Sequence, residues 1–212
     1  MAKNAAVVLS GCGVFDGSEI HEAVLAILNL QRAGANVSFF APDIVQHHAL
    51  NHITGAEIAP RNVLEESARI ARGNIAPLSD FDADKFDAVV FPGGFGAAKN
   101  LCTFAFDGAN CSVNPDVERA IKAMLERRKP QLFMCIAPVV AARVISNGVK
   151  LTIGNDSATA AAIEQMGAKH IDCPADGFVF DKTKNVYSTP AYMLASDTAE
   201  IDRALVSLPL FI

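Results

Sequence analysis

Ala5-Ala6-Val7-Val8-Leu9-Ser10-Gly11-Cys12-Gly13 is a short apolar run that stops at a glycine-rich turn. A run of this length, bounded by glycine, reads as a strand buried on both faces. Asp16-Gly17-Ser18 then supplies a helix cap, and Ile20, Ala23, Val24, Ile27, Leu28 and Gln31 recur with helical spacing up to a stop at Gly34. Residues 37–41 read as a second strand. Strand, helix and strand within roughly 40 residues make the βαβ unit of a parallel sheet.

Working outward, the alternation continues. Residues 87–91 form an apolar strand that breaks at Pro92-Gly93-Gly94-Phe95-Gly96. Asn114-Pro115 opens a helix whose core face is Val117, Ile121, Met124 and Leu125. Gln131-Leu132-Phe133-Met134 reads as another buried strand, followed by Cys135 and, at Pro138, a helix that runs to Gly148. Residues 149–153 suggest a further strand and 156–166 an alanine-rich helix. Phe178-Val179-Phe180 and Val186-Tyr187-Ser188, joined by a polar turn, suggest a small antiparallel hairpin, and Asp197 caps a last helix. The expected fold is α/β: a three-layer sandwich with a mostly parallel sheet, as a single domain over 1–212. Residues 42–78 form a longer elaboration, with Asn62 as a helix cap, placed where it could cover a site.

The formal net charge is −5, with no basic cluster interleaved with aromatics, which argues against a nucleic-acid partner. No run reaches the roughly 18 apolar residues of a spanning helix. The start, Met1-Ala2-Lys3-Asn4, lacks a long apolar leader segment. Five cysteines, at 12, 102, 111, 135 and 173, form no Cys-x-x-Cys pair, so free thiols in a reducing, cytoplasmic setting are expected.

In parallel α/β sheets ligands bind beyond the carboxyl ends of the strands, which selects three turns: Ser10 to Glu19, Pro92 to Gly96, and Cys135. Cys135 sits at a strand-to-helix turn, where helix amides favour a thiolate, although a buried cysteine taken alone is more often inert core. Glu19, in the first turn of its helix, could hold or move a proton if pressed into an apolar pocket. His21 points to a different side of that helix and stands in reserve. Pro92-Gly93-Gly94 offers backbone amides suited to a developing oxyanion. Gly11-Cys12-Gly13 is not a dinucleotide fingerprint, because the position of the third glycine holds Asp16. His48 and His52, in the polar segment with His47, are four apart and could chelate a metal if helical, but no nearby carboxylate or cysteine completes the set, so no metal is expected.

Taken together, the carboxylate after the first strand, Pro-Gly-Gly after a later one and the cysteine elbow ending in Pro138 resemble the ThiJ/PfpI superfamily, relatives of class I glutamine amidotransferases. Residues 10–22, 92–100, 133–138 and 189–193, with the Asn51-His52-x-Thr54-Gly55 motif and the 61–73 segment, are similar to its ElbB branch. That branch is also called enhancing lycopene biosynthesis protein 2, or the isoprenoid biosynthesis protein with amidotransferase-like domain. The resemblance implies a flavodoxin-like fold and a homodimer, with Cys135 as nucleophile, Glu19 as its hydrogen-bonded acid/base partner and an oxyanion hole at Gly93, Gly94 and Ile136. His170, like His21, is a reserve candidate. The activity implied is that of a cofactor-free, glutathione-independent glyoxalase III-like lyase, which turns a small α-oxoaldehyde, glyoxal or methylglyoxal, into a hydroxy acid. Two departures stand out. Phe133 and Ala137 replace the glycines of an amidotransferase elbow, and Ile136, not histidine, follows the cysteine. Without an imidazole to protonate a leaving amine, amide hydrolysis is disfavoured. The alternative function is a redox-responsive or regulatory protein that uses oxidation of Cys135, linked by the branch's name to isoprenoid biosynthesis.

Overall fold

The structure is a computed structural model and describes residues 2–208. Its elements in chain order are β1 (Asn4–Val8), α1 (Ile20–Arg32), β2 (Asn36–Ala41), α2 (Val63–Ile70), β3 (Ala76–Pro77), β4 (Ala88–Phe91), α3 (Phe95–Lys99), α4 (Phe104–Asp107), α5 (Pro115–Glu126), β5 (Gln131–Met134), α6 (Pro138–Ile145), β6 (Lys150–Leu151), α7 (Ser157–Gln165), β7 (Lys169–His170), β8 (Val179–Asp181), β9 (Val186–Thr189) and α8 (Thr198–Val206). The main sheet runs β3-β2-β1-β4-β5-β9-β8 and is parallel except for the antiparallel β9–β8 pair. The α/β sandwich and the hairpin near the C-terminus are as the sequence pattern predicts, and the flavodoxin-like arrangement is as the resemblance implies.

Successive side chains on a strand face opposite ways, and β1 splits its residues accordingly. Ala5, Val7 and Leu9 pack with Ala23, Ala26 and Leu30 of α1 and with Ile201 and Leu205 of α8. Ala6 and Val8 join the other layer, with Val117, Ile121 and Met124 of α5 and Val139 and Val140 of α6. Phe91 and Phe133, stacked 4.8 Å apart, extend that second layer across β4 and β5. Both sheet faces are covered, which is why the central strands read as continuous apolar runs rather than alternating ones.

Several local expectations are corrected. The cap of α1 is Glu19 rather than Asp16-Gly17-Ser18, because its carboxylate accepts the Glu22 N–H, while Ser18 turns back to bond Ser10. The buried face of α1 is Glu22, Ala23, Ala26 and Leu30, which leaves Ile20, Val24 and Leu28 exposed. The strand expected over 149–153 shortens to β6 and pairs with β7 in a two-stranded sheet apart from the main one. Its neighbours bend away to bond side chains: Thr152 N–H donates to Ser188 Oγ and Ile153 N–H to His170 Nε2.

The chain passes from β1 outward to β2 and β3, then returns to β4 on the other side of β1. That reversal opens a crevice at the carboxyl edge between β1 and β4, where such sheets bind ligands. The turns after β1, β4 and β5 meet there. Glu19 N–H donates to Gly93 O at 2.9 Å, Phe95 N–H to Val14 O at 2.7 Å and Gly96 N–H to Gly17 O at 2.9 Å.

Candidate active site

Cys135 follows β5 directly and holds φ at +56°, in the left-handed region that a non-glycine residue adopts at a cost of about 1–2 kcal/mol. Its N–H donates to Thr189 O of β9 at 3.0 Å, and α6 begins three residues later with Pro138. Strand, strained cysteine and helix together form an elbow that turns the sulfur toward the crevice. The amides of Gly94 and Ile136 donate to that sulfur.

The carboxyl that meets Cys135 is Glu22, which the sequence reading missed. Its side chain is fully enclosed. Gly93 N–H donates to Oε2 at 2.8 Å and Tyr192 N–H to Oε1 at 3.2 Å, and the Cys135 side chain is its third partner. Burial pushes the Glu22 pKa up to about 7; the Glu19 charge adds to the rise, while the two amides and the thiol pull against it. Burial also raises the Cys135 thiol well above its ordinary value, and the Glu22 carboxylate reinforces this against the lowering effect of the Gly94 and Ile136 amides. The helix-start amides therefore do not leave a freely ionised thiol at rest, contrary to the expectation from the elbow alone. The hydrogen bond between them is a direct path for the thiol proton to reach the carboxylate, with no change in the net charge of the pair.

Glu19 stands beside this pair. Its Oε2 accepts the Glu22 N–H at 2.7 Å, and its side chain lines a cavity of about 470 Å³ together with Cys135, Gly94, Ile136 and Tyr192. So the structure brings Glu19 to the cavity wall but gives the hydrogen bond to Cys135 to Glu22. Gly93 also differs from its expected place in the oxyanion hole, since its N–H is committed to Glu22. The absence of its side chain is what lets the turn close. A Cβ there would lie 2.4 Å from the Cys135 Cβ and 2.7 Å from Glu22 Oε2. Gly94 holds φ at +89°, and a Cβ on it would meet Gly17 O and Glu19 N at 2.4 Å.

No family model matches the chain. Individual relatives do. The human protein named glutamine amidotransferase-like class 1 domain-containing protein 3, mitochondrial, is 48% identical over 203 residues, which span 91% of this chain and 75% of that protein. The chain belongs to the glutamine amidotransferase-like class 1 family. The rat ES1 protein homolog, mitochondrial, is 47% identical over 207 residues, 92% of this chain and 77% of its own length. The crystal structure of an isoprenoid biosynthesis protein with amidotransferase-like domain from Ehrlichia chaffeensis superposes with a TM-score of 0.88 at 36% identity, covering 96% of this chain and 95% of that one. Drosophila melanogaster DJ-1beta, at 20% identity and a TM-score of 0.56 over 97% of this chain and 87% of its own, shares the fold.

This amidotransferase-like chain keeps the reserve histidines away from the sulfur. His21 is exposed, with Nδ1 at 2.9 Å from Tyr192 Oη and 4.0 Å from Glu19 Oε1. It reaches the rim of the cavity through Tyr192. His170 is enclosed on β7, where Nε2 accepts the Ile153 N–H at 3.3 Å and Nδ1 faces Asp172 Oδ1 at 3.6 Å. That is a structural role, outside the cavity lining. None of the lining residues is a histidine.

The 42–78 elaboration does not line the cavity. It braces the turn after β1: Gly11 N–H donates to Ser67 Oγ at 2.9 Å, and Leu50 N–H donates to Asp16 Oδ2. His52 Nε2 accepts the Phe15 N–H at 3.3 Å, while His47 packs tilted on the Phe106 ring and His48 meets it edge-on. Among the described residues, no helix is long and apolar enough to cross a membrane.

Proposed function

We propose that the protein converts small α-oxoaldehydes to hydroxy acids without a cofactor, in the manner of a glyoxalase III-like lyase. The observation that carries this reading is the cavity in which the Cys135 sulfur, two donating amides and a second carboxylate, Glu19, face the same space. Glu22 takes the thiol proton as sulfur adds to the aldehyde carbon. The new oxyanion of the hemithioacetal is held by the Gly94 and Ile136 amides. Glu19 removes the hydrogen on that carbon and returns a proton to the neighbouring carbon through an enediol, which leaves a thioester on Cys135. Water hydrolyses the thioester, releases the hydroxy acid and restores the thiol. α-Oxoaldehyde plus water gives α-hydroxy acid: the aldehyde carbon is oxidised as the neighbouring carbonyl carbon is reduced, so no external oxidant is needed. A carboxylate suffices because no amine leaves. This agrees with the lack of a cavity histidine and sets the reading apart from amide hydrolysis.

The redox-responsive alternative uses the same sulfur and needs no substrate cavity, so it is less well supported. The homodimer is part of the proposal as well. Ile20, Val24 and Leu28 form an apolar stripe four residues apart along the outer face of α1, a surface suited to a second copy. The free thiols suit a reducing compartment, either the cytoplasm or the matrix of the organelle for which the human and rat relatives are named.

The test is lactate formation from methylglyoxal by purified protein. Wild type is expected to turn over. Cys135→Ala is expected to be inactive, and Glu19→Gln and Glu22→Gln each to lose at least about 100-fold, the usual contribution of a positioned acid or base. Turnover surviving in Cys135→Ala would refute the mechanism.

A further inference from the structure

The lining of the cavity says more than the catalytic groups do. Beyond Cys135 and Glu19, its wall is built from Val14, Phe95, Ala98, Phe104, Ile136 and Met193, contributed by five separate segments. At about 470 Å³ it lies in the size range of pockets that enclose drug-sized ligands, well beyond the handful of heavy atoms in methylglyoxal. Its charged side chains are of one sign. Asp156 joins Glu19 in the lining, and no lysine or arginine does. Asp156 caps α7 by accepting the Thr159 N–H at 2.8 Å, which fixes its carboxylate at the wall, and the Thr159 hydroxyl and N–H together lower its pKa. Lys99, on the same short helix as Phe95, donates its ammonium to Phe15 O at 2.9 Å and lies 5.3 Å from the Phe95 ring centre.

We infer that the substrate of this site is a neutral α-oxoaldehyde bearing an aryl or long alkyl substituent, and that Glu19 and Asp156 exclude anionic analogues. This rests on the α-oxoaldehyde reading above and narrows it. The apolar wall favours a substituent that can be buried, at about fourfold in apparent affinity per buried methylene. The carboxylates disfavour any substrate that is already an acid, such as a keto acid, an amino acid or a phosphate ester. They also repel the carboxylate product once it forms, so release is assisted by the same charges that set specificity.

The experiment compares kcat/KM for methylglyoxal, phenylglyoxal and 4-carboxyphenylglyoxal. Phenylglyoxal is expected to exceed methylglyoxal at least tenfold, and the carboxylated analogue to fall several-fold below phenylglyoxal. Asp156→Asn keeps the cap, because asparagine caps as well as aspartate, and removes the charge. It is expected to narrow the gap between carboxylated and plain phenylglyoxal about threefold to fivefold. Phe104→Ala is expected to narrow the phenyl-to-methyl ratio. Methylglyoxal turned over as well as phenylglyoxal would overturn the inference and leave the α-oxoaldehyde reading standing. Absence of turnover with every aldehyde would defeat that reading. The pocket's preference is then judged by protection of Cys135 from iodoacetamide, followed by intact mass. Acetophenone protecting where acetone and 4-acetylbenzoate do not supports the preference; equal protection by all three, or protection by none, overturns it.

Discussion

Replacing Glu22 with glutamine should make the stability difference between variant and wild type depend on pH, in a direction fixed by the burial of this one carboxyl. Its pKa rises from an ordinary 4.5 to about 7 in the folded chain, with burial as the main cause. Because the folded value is the higher one, the native state binds this proton more tightly than the unfolded chain does. Below the unfolded value the group imposes no penalty. As pH rises, wild-type stability falls by about 1.4 kcal/mol per pH unit until the folded value is passed, and levels off at a loss of about 3 kcal/mol. Glutamine removes that slope and carries a constant cost of its own. Gly93 N–H and Tyr192 N–H donate to different carboxyl oxygens, and an amide nitrogen can accept neither. One buried N–H is then left without a partner, at about 1–3 kcal/mol. Between about pH 5 and pH 8 the variant should therefore gain about 2–3 kcal/mol relative to wild type. Urea denaturation at several pH values measures this directly, and titrations common to both proteins cancel in the difference. A difference that stays constant to within about 0.5 kcal/mol over that range would refute the assignment of a raised pKa to Glu22.

Gly93→Ala should cost about 2 kcal/mol or more, because the new methyl meets the Cys135 Cβ at 2.4 Å and Glu22 Oε2 at 2.7 Å, the latter contact leaving the carboxyl no room to keep its bonds. Thermal unfolding should show a drop of about 4–8 °C together with loss of Cys135-dependent turnover, and an unchanged midpoint would contradict the packing described at the elbow. Val24→Glu places a charge in the exposed stripe of α1 that the homodimer would bury. Sedimentation is expected to give a dimer for wild type and a monomer for the variant, whereas a monomeric wild type at micromolar concentration would dismiss the stripe as an interface.

Much of the architecture was legible because the central strands are covered on both faces. Residues 5–9, 88–91 and 132–134 are uninterrupted apolar runs for that reason, and the rule that ligands gather at carboxyl edges picked out three turns that the structure brings together. The exchange of Glu19 for Glu22 at the sulfur was not legible in the same way. Two carboxylates in the first turn of one helix are equivalent by local pattern. What separates them is a pair of N–H donors, from Gly93 and Tyr192, that lie 71 and 170 residues further along the chain. A weaker signal was present. Glu22, Ala23, Ala26 and Leu30 share one helical face of mostly small and apolar residues, and a carboxyl on such a face has to find buried partners. The more conspicuous stripe of Ile20, Val24 and Leu28 proved to be exposed. Periodicity tells that a face is apolar but not whether the core or another chain covers it.

The two carboxylates illustrate how one turn of helix supplies two different acids. Glu19 caps the helix start, its carboxylate accepting the Glu22 N–H, and its side chain borders the cavity. Glu22, a turn deeper, is enclosed and shares its space with sulfur, so it titrates near neutrality. In the proposed reaction the two carboxyls have separate tasks, Glu22 taking the thiol proton and Glu19 facing the substrate carbon from the cavity wall. The separation depends on the strained φ of Cys135 and the bare backbone of Gly93, which bring sulfur, amide and carboxyl closer than side chains would normally permit. If that arrangement served packing alone, an apolar side chain at position 22 would fill the space without the cost of burying an acid. A carboxyl buried at that cost is the physical argument for the proposed role of the Cys135–Glu22 pair in moving a proton.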